Sequence, residues 1–391
     1  MKIVVSMDSF KGSLTSWEAG NAAKIGIERA LATVPGEHHE VVVFPLADGG
    51  EGTVEAITAG NDGMFRDMIV QGPLGDSVSF IYGILPDNTI IMEMAQAAGR
   101  SLIPQDKRNP MKTSTYGLGQ AIANVIKEEG GKPTKFKISV GGSATNDCGV
   151  GMLRALGYRF LDEAHNELRG VGEDLSKIVE IDDSEVIPGL ENCTFEIATD
   201  VQNPLYGEDG AAYKFASQKG ADKNMIEQLD DGMHNFADVV FWYNATDETQ
   251  TPGAGAAGGL GYAFLSFMNS KFVSGTEMTN EAAKIKENLM KGASLMITGE
   301  GCVDEQTLNG KGPARAAQMA KDKGIPVIAI GGSTSDDLSA IHDAGWSACF
   351  SILNTIRKES EILKIDTATK NMERTAEEVV RVLLLGAQIG K

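Results

Sequence analysis

The sequence predicts an α/β protein built on an open parallel sheet, with a second, mixed α/β domain inserted into it. Three observations carry that prediction. Short β-branched runs near both ends of the chain are each followed by a Gly/Ser/Asp loop and then a helix-period segment. The middle of the chain lacks that rhythm. The 46 glycines among 391 residues gather in strand-following clusters, such as 48–52 and 253–261, instead of repeating at a fixed period.

Lys2 to Met7 reads as the first strand. The helix Trp17 to Ala32 follows, its start marked by the capping hydroxyls of Ser13, Thr15 and Ser16. Val41 to Pro45 is the next strand, and Thr53 to Thr58 opens a helix after a glycine loop. Asp67 to Tyr82 and Thr89 to Ala95 look like paired strands around loops, and Lys135 to Val140 and Thr194 to Thr199 are strand-like too. Toward the other end come strands at Ser294 to Thr298, Pro326 to Gly331 and Ala348 to Ile352, with helices at Ala314 to Lys323 and Ala376 to Leu385. Because βα units stand at both ends, residues 1–83 and 287–391 are expected to form one discontinuous domain. Residues 84–286 would be the insert, with the active site in the cleft between the two domains.

The 54 acidic residues outnumber the 35 basic ones, a formal charge of −19. Such a field repels nucleic acid and anionic membrane, so an anionic ligand needs a local positive site. No apolar run approaches the ~18 residues of a membrane span, and the apolar stretch after Lys2 is too short for a signal peptide. A cytoplasmic protein is expected. Cys148, Cys193, Cys302 and Cys349 lack CxxC or Cys/His spacing, and the five histidines sit apart from the polar loops. Disulfide frameworks, zinc sites and Ser/His/Asp triads are therefore disfavoured.

The polar loops follow strands, where open parallel sheets bind ligands. Asp8-Ser9-Phe10-Lys11-Gly12-Ser13 joins an acid, hydroxyls, a lysine and a glycine ahead of a helix N-terminus, parts suited to phosphate. In Asp48-Gly49-Gly50-Glu51-Gly52, two carboxylates separated by two glycines can reach one hydrated Mg²⁺. Gly141-Gly142-Ser143-Ala144-Thr145-Asn146-Asp147 offers close backbone approach, neutral donors and an acceptor, a set for a small hydroxylated acid or a phosphate. Asp200, at a strand end before Asn203-Pro204, can accept a hydroxyl proton or bind metal. The run 252–261 suits helix packing, a hinge or a ligand contact equally. Glu300 and Asp304 can ligate Mg²⁺, Lys311 can meet a phosphate at the next helix start, and Gly331-Gly332-Ser333, which ends a further strand, suits packing against a nucleotide or a plain βα turn equally. Lysines, glycines, hydroxyls and carboxylates spread over strand ends are the inventory for Mg²⁺-assisted phosphoryl transfer.

These blocks, read together, resemble the glycerate kinase type I family of bacterial ATP-dependent enzymes. The match includes DSFKGSLT at 8–15, PLADGGEGT at 45–53, RNPMKTSTYG at 108–117, GGSATND at 141–147, ATDVQNPLYG at 198–207, PGAGAAGGLG at 252–261 and GEGCVDEQTLNGKGP at 299–313. The resemblance implies a Rossmann- or flavodoxin-like domain with an inserted domain of different topology. It also implies ATP and Mg²⁺ as cofactors, glycerate as acceptor and 2-phosphoglycerate as the favoured product, made by a monomer or a homodimer. On that basis Lys11 is expected to stabilise the transferred phosphoryl group and Asp200 to act as base. Asp8, Ser9, Gly12, Ser13, Gly49, Gly50, Gly52, Lys311 and Gly331 would hold ATP; Asp48, Glu51, Glu300 and Asp304 would serve the metal. Arg108, Gly142, Ser143, Thr145, Asn146 and Asp147 would hold glycerate. The family commonly has Arg where this chain has Cys302 and Gly where it has Cys148. A kinase for another small hydroxy acid, or a sensor that binds without turnover, remains as an alternative.

Overall fold

The computed structural model describes residues 1–10, 12–34, 38–46, 52–61, 63–275, 291–308 and 312–389. Its first strands are β1 Lys2–Met7, β2 Glu40–Val43, β3 Met64–Gln71, β4 Ser77–Ile84, β5 Ile90–Glu93, β6 Lys135–Ser139, β7 Arg159–Leu161, β8 Glu180–Asp182, β9 Thr194–Ala198 and β10 Ser270–Val273. Then follow β11 Leu295–Gly299, β12 Cys302–Val303, β13 Val327–Gly331, β14 Ser333–Thr334 and β15 Ala348–Ser351. The chain divides into two compact units, one of residues 1–48, 55–60 and 279–391, the other of 49–54 and 61–278.

The first unit holds a five-stranded sheet in the order β2-β1-β11-β13-β15, with every neighbouring pair parallel. Counting only this sheet's strands, the order is second, first, third, fourth, fifth, which is the flavodoxin-like winding. The inner strands β1, β11 and β13 are buried on both faces, so they read as near-continuous apolar runs instead of alternating. Ile3, Val5, Met7, Ile297 and Ile330 face one core with the helices Ser16–Leu31 and Ile365–Ile389. Val4, Met296, Val327 and Ala329 face the other, with Ala316, Ala317 and Ala320 of the helix Gly312–Lys321. The first helix begins in a capping box: Thr15 Oγ1 accepts from Glu18 N at 3.2 Å, and Thr15 N donates to Glu18 Oε2 at 2.9 Å. Gly26 lets that helix lie against the last one, since a Cβ there would stand 2.0 Å from the Glu373 carbonyl oxygen. The helix expected over Ala376 to Leu385 is the second half of a longer one that starts at Ile365.

The second unit holds a six-stranded sheet, β10-β9-β6-β5-β4-β3. Strands β10, β9, β6 and β5 run parallel, and β4 and β3 close one side antiparallel. Phe136 and Phe195 stack at 5.0 Å in its core. The expected boundary is 83/84, and the compact units divide at 48/49, 54/55 and 60/61. The hairpin β3–β4 hydrogen-bonds onto β5, so it belongs to the mixed sheet and not to the parallel one. The other expected boundary, 286/287, lies outside the described residues.

Candidate active site

In the first unit the sheet reverses its winding between β1 and β11, and a doubly wound sheet opens a ligand crevice beyond the carboxyl ends of such a pair. Asp8 and Glu300 follow those two strands directly. Asp8 N donates to the Gly299 carbonyl at 2.8 Å, and Asp8 Oδ1 accepts from the half-buried Ser9 N at 2.6 Å. The chain then turns tightly, with Phe10 N donating to Leu14 O at 2.8 Å and Ser13 N to Phe10 O at 2.8 Å. Gly12 takes the left-handed conformation (φ 77°) this turn needs. The Ser13 hydroxyl is buried and has no hydrogen-bond partner.

Neighbouring loops close on the same edge. Gly332 N donates to Glu300 O and Ser333 N to Gly301 O, both at 3.0 Å, while Ile352 N holds Gly331 O at 2.9 Å. A Cβ on Gly332 would lie 3.4 Å from Phe10, so the turns after β1 and β13 touch. Leu46 N donates to Met7 O at 2.7 Å, and Ser16 Oγ donates to Leu46 O at 2.6 Å. Asp8, Ser9, Gly12, Ser13, Glu300, Asp304 and Gly331 thus gather on one sheet edge. Lys11, Asp48, Gly49, Gly50, Glu51 and Lys311 lie outside the described residues.

Glu300 and Asp304 supply two carboxylates to one loop, the number Mg²⁺ takes from a protein when phosphate oxygens and water complete its octahedron. The donor set fits that ion. Among the described residues no group of three or more His, Cys, Asp or Glu side chains is placed to hold a metal alone. Asp304 Oδ1 accepts from Gln306 N at 2.8 Å, and its Oδ2 faces the exposed Cys302 Sγ at 3.9 Å. No guanidinium stands at 302.

In the second unit the loops after β5, β6 and β9 form another polar edge. Glu93, 3% exposed at the end of β5, accepts from Val54 N at 2.9 Å. Gly52, two residues before Val54, takes the left-handed conformation at φ 90°. The loop after β6 is pinned residue by residue: Arg100 N donates to Gly142 O at 2.9 Å and Ala144 N to Ala98 O at 2.8 Å. Gly142 turns left-handed at φ 76°, Ser143 bridges Gly99, and Thr113 Oγ1 donates to Ala144 O at 2.9 Å. Asn146 is 0% exposed, yet neither amide atom is hydrogen-bonded, and the Thr145 hydroxyl is equally unpartnered. Buried polar atoms without partners are costly and mark a place prepared for one. Asp200 is exposed at the end of β9, its Oδ1 accepting from Gly275 N at 3.0 Å.

Two residues expected to contact glycerate already hold hydrogen bonds within the fold. Asp147 is 0% exposed, and its carboxylate already accepts from Thr115 N (2.7 Å), Thr115 Oγ1 (2.8 Å), Gly149 N (3.3 Å) and Gly151 N (3.3 Å). Burial raises its pKa, against the lowering effect of those donors. It staples the loop to the helix Tyr116–Glu128. Arg108 donates through Nε to Ile103 O at 3.2 Å and through one terminal nitrogen to Arg100 O at 3.1 Å. Through these two bonds its guanidinium braces a neighbouring loop.

Sequence reasoning missed Lys219, which is 3% exposed and donates from Nζ to the Thr145 carbonyl at 2.6 Å. Burial, with Arg100 nearby, lowers its pKa to about 7, partly opposed by Asp147. It also missed Glu93, whose strand carries no motif. Cys148 occupies the left-handed region (φ 49°), where glycine, the residue of the resembled family, is at ease.

A flavodoxin-like sheet with acids and glycine turns at its switch point in one unit, and a sheet edge of unspent hydroxyls and amides in the other, fit an enzyme of the small-molecule phosphotransferase class. Comparison with known proteins places it more narrowly: a profile described as the Glycerate kinase family matches residues 3–384, and the chain belongs to that family. It is 39% identical over 387 residues to a glycerate 2-kinase of Escherichia coli K12, covering 99% of both chains. It is 40% identical over 388 residues to a glycerate kinase of Bacillus subtilis 168, covering 98% of both. The crystal structure of a Salmonella typhimurium LT2 protein assigned as glycerate kinase 2 superimposes with a TM-score of 0.77 at 37% identity, over 99% of each chain. No described helix is long and apolar enough to cross a membrane.

Proposed function

We propose that this protein transfers the γ-phosphoryl group of ATP to D-glycerate, giving 2-phosphoglycerate and ADP. The observation that carries the reading is the meeting of Asp8, Glu300 and the Gly331–Gly332 turn at the switch point between β1 and β11. Full-length similarity to glycerate kinases supplies the acceptor's name.

The donor nucleotide is assigned to the first unit. The turn 8–13 offers the Ser13 hydroxyl to its phosphates, Lys11 supplies the cation for the transferred group, and Lys311 supplies a second. A Mg²⁺ bound through Glu300, Asp304 or Asp48 would neutralise phosphate charge. The acceptor is assigned to the second unit, where Ser143, Thr145 and Asn146 orient its oxygens and Asp200 takes the proton of the attacking hydroxyl. That oxygen bonds to the γ-phosphorus as the bond to the ADP oxygen breaks, so positioning and charge stabilisation carry the rate.

A coupled assay of ADP release across glycerate and other small hydroxy acids tests the reading, and phosphorus NMR of the product assigns the hydroxyl. Turnover greatest with glycerate and a resonance of the 2-phosphate are expected. Glycerate binding without ADP release would replace the kinase by a sensor, and a 3-phosphate would overturn the regiochemistry.

A further inference from the structure

Lys219 belongs to none of the motifs that point to phosphoryl transfer, yet it is buried directly beneath one of them. The carbonyl it holds, that of Thr145, is covered from another side by the turn at Ala257, Gly258 and Gly259. These three residues interrupt the helix Ala256–Phe267 with left-handed backbone (φ 53°, 73° and 87°). That turn lies so close that a Cβ on Gly258 would stand 2.0 Å from the Thr145 oxygen and 2.7 Å from Asn146 Cα. Gly258 O in turn accepts from Cys148 N at 3.1 Å, which fixes the turn against the residues just past the loop. Lys219 Nζ at 2.6 Å is the hydrogen-bond donor to that carbonyl, and a buried carbonyl that loses its donor costs free energy or moves.

The neighbouring carbonyls are already held, Gly142 O by Arg100 N and Ala144 O by Thr113 Oγ1. Thr145 and Asn146 carry the side-chain atoms that the fold leaves unspent. The direction in which those atoms point is therefore set at the Thr145 peptide, where Lys219 acts.

We propose that Lys219 is the positioning residue of the acceptor loop, its Nζ fixing the Thr145 carbonyl so that the Thr145 hydroxyl and the Asn146 amide are presented to the hydroxy acid. This rests on the reading that the loop after β6 binds glycerate. Lys219 touches the loop and not the reacting atoms, so its removal weakens acceptor binding selectively.

The test compares wild type, Lys219→Met and Lys219→Gln by steady-state kinetics in each substrate and by hydrogen exchange over residues 143–149. Methionine keeps the volume without a donor, and glutamine keeps a shorter donor. Lys219→Met is expected to raise KM for glycerate by about tenfold or more, with KM for ATP changed by less than about twofold. Exchange over the loop should quicken, and Lys219→Gln should fall between. A glycerate KM within about twofold of wild type, or an equal rise for both substrates, overturns the proposal. If Lys219→Met does not fold, Lys219→Gln decides by the same readouts. A wild-type enzyme that releases no ADP with glycerate removes the function reading instead. Loop exchange still judges Lys219 in that case, and unchanged exchange overturns its positioning role.

Discussion

The Asp8 N–H donates to the Gly299 carbonyl at 2.8 Å, joining the ends of the neighbouring strands β1 and β11 of the parallel sheet. The turn that carries Lys11 therefore starts from a fixed point beside Glu300, and Phe10 lies against the Gly332 turn on its far side.

Replacing Lys11 by methionine should lower kcat by about 10³, the amount that one preorganised electrostatic donor supplies. Steady-state kinetics on folded variant measure it. A loss smaller than about threefold would take the role from Lys11.

Asp200→Asn should abolish turnover while ATP affinity stays near that of wild type, because the carboxylate sits on the acceptor's sheet edge with Oδ1 anchored by Gly275 N. Isothermal titration with ATP and single-turnover kinetics separate the two effects. Sustained turnover would move the base elsewhere.

Asp147→Ala should destabilise the fold by about 3 kcal/mol, since it strands buried donors at Thr115, Gly149 and Gly151. Urea unfolding checks this. A change below about 1 kcal/mol would return Asp147 to the list of substrate ligands.

The pH dependence of stability carries the mark of Lys219. Its pKa falls from 10.5 to about 7 on folding, so between those values the unfolded chain binds the extra proton and stability rises with pH. Wild type should gain on Lys219→Met as pH climbs through that window, by at most about 1.4 kcal/mol per pH unit. Urea midpoints at a series of pH values report the difference. A flat difference would mean that the buried amine stays charged.

Strand-by-strand, the parallel sheet was legible because burial on both faces writes itself as unbroken apolar runs, as in Ile3, Val4 and Val5. The hairpin Met64–Ile84 was legible as paired strands, but its partner was not. Only the antiparallel ladder to β5 reveals which sheet owns it. Loop motifs pointed correctly to strand ends, since acids, glycines and hydroxyls concentrate there. They could not show which side chains the fold itself consumes. Asp147 and Arg108 carry the right charges for ligands and spend them on backbone groups. Lys219 had no signal at all: a lone lysine in Ser217-Gln218-Lys219-Gly220 reads as a solvated turn, and its buried bond reaches the carbonyl of Thr145, 74 residues earlier.

The pairing of β1 with β11 has a consequence for how the chain is made. On the ribosome the opening βα units emerge with half their sheet still unsynthesised, whereas the mixed sheet finds all its strands as soon as β10 is out. Domains complete as their last partner leaves the exit tunnel. The early segment must wait, with the apolar flank of β1 uncovered, until the closing residues arrive, and that interval is when a chaperone would be most needed.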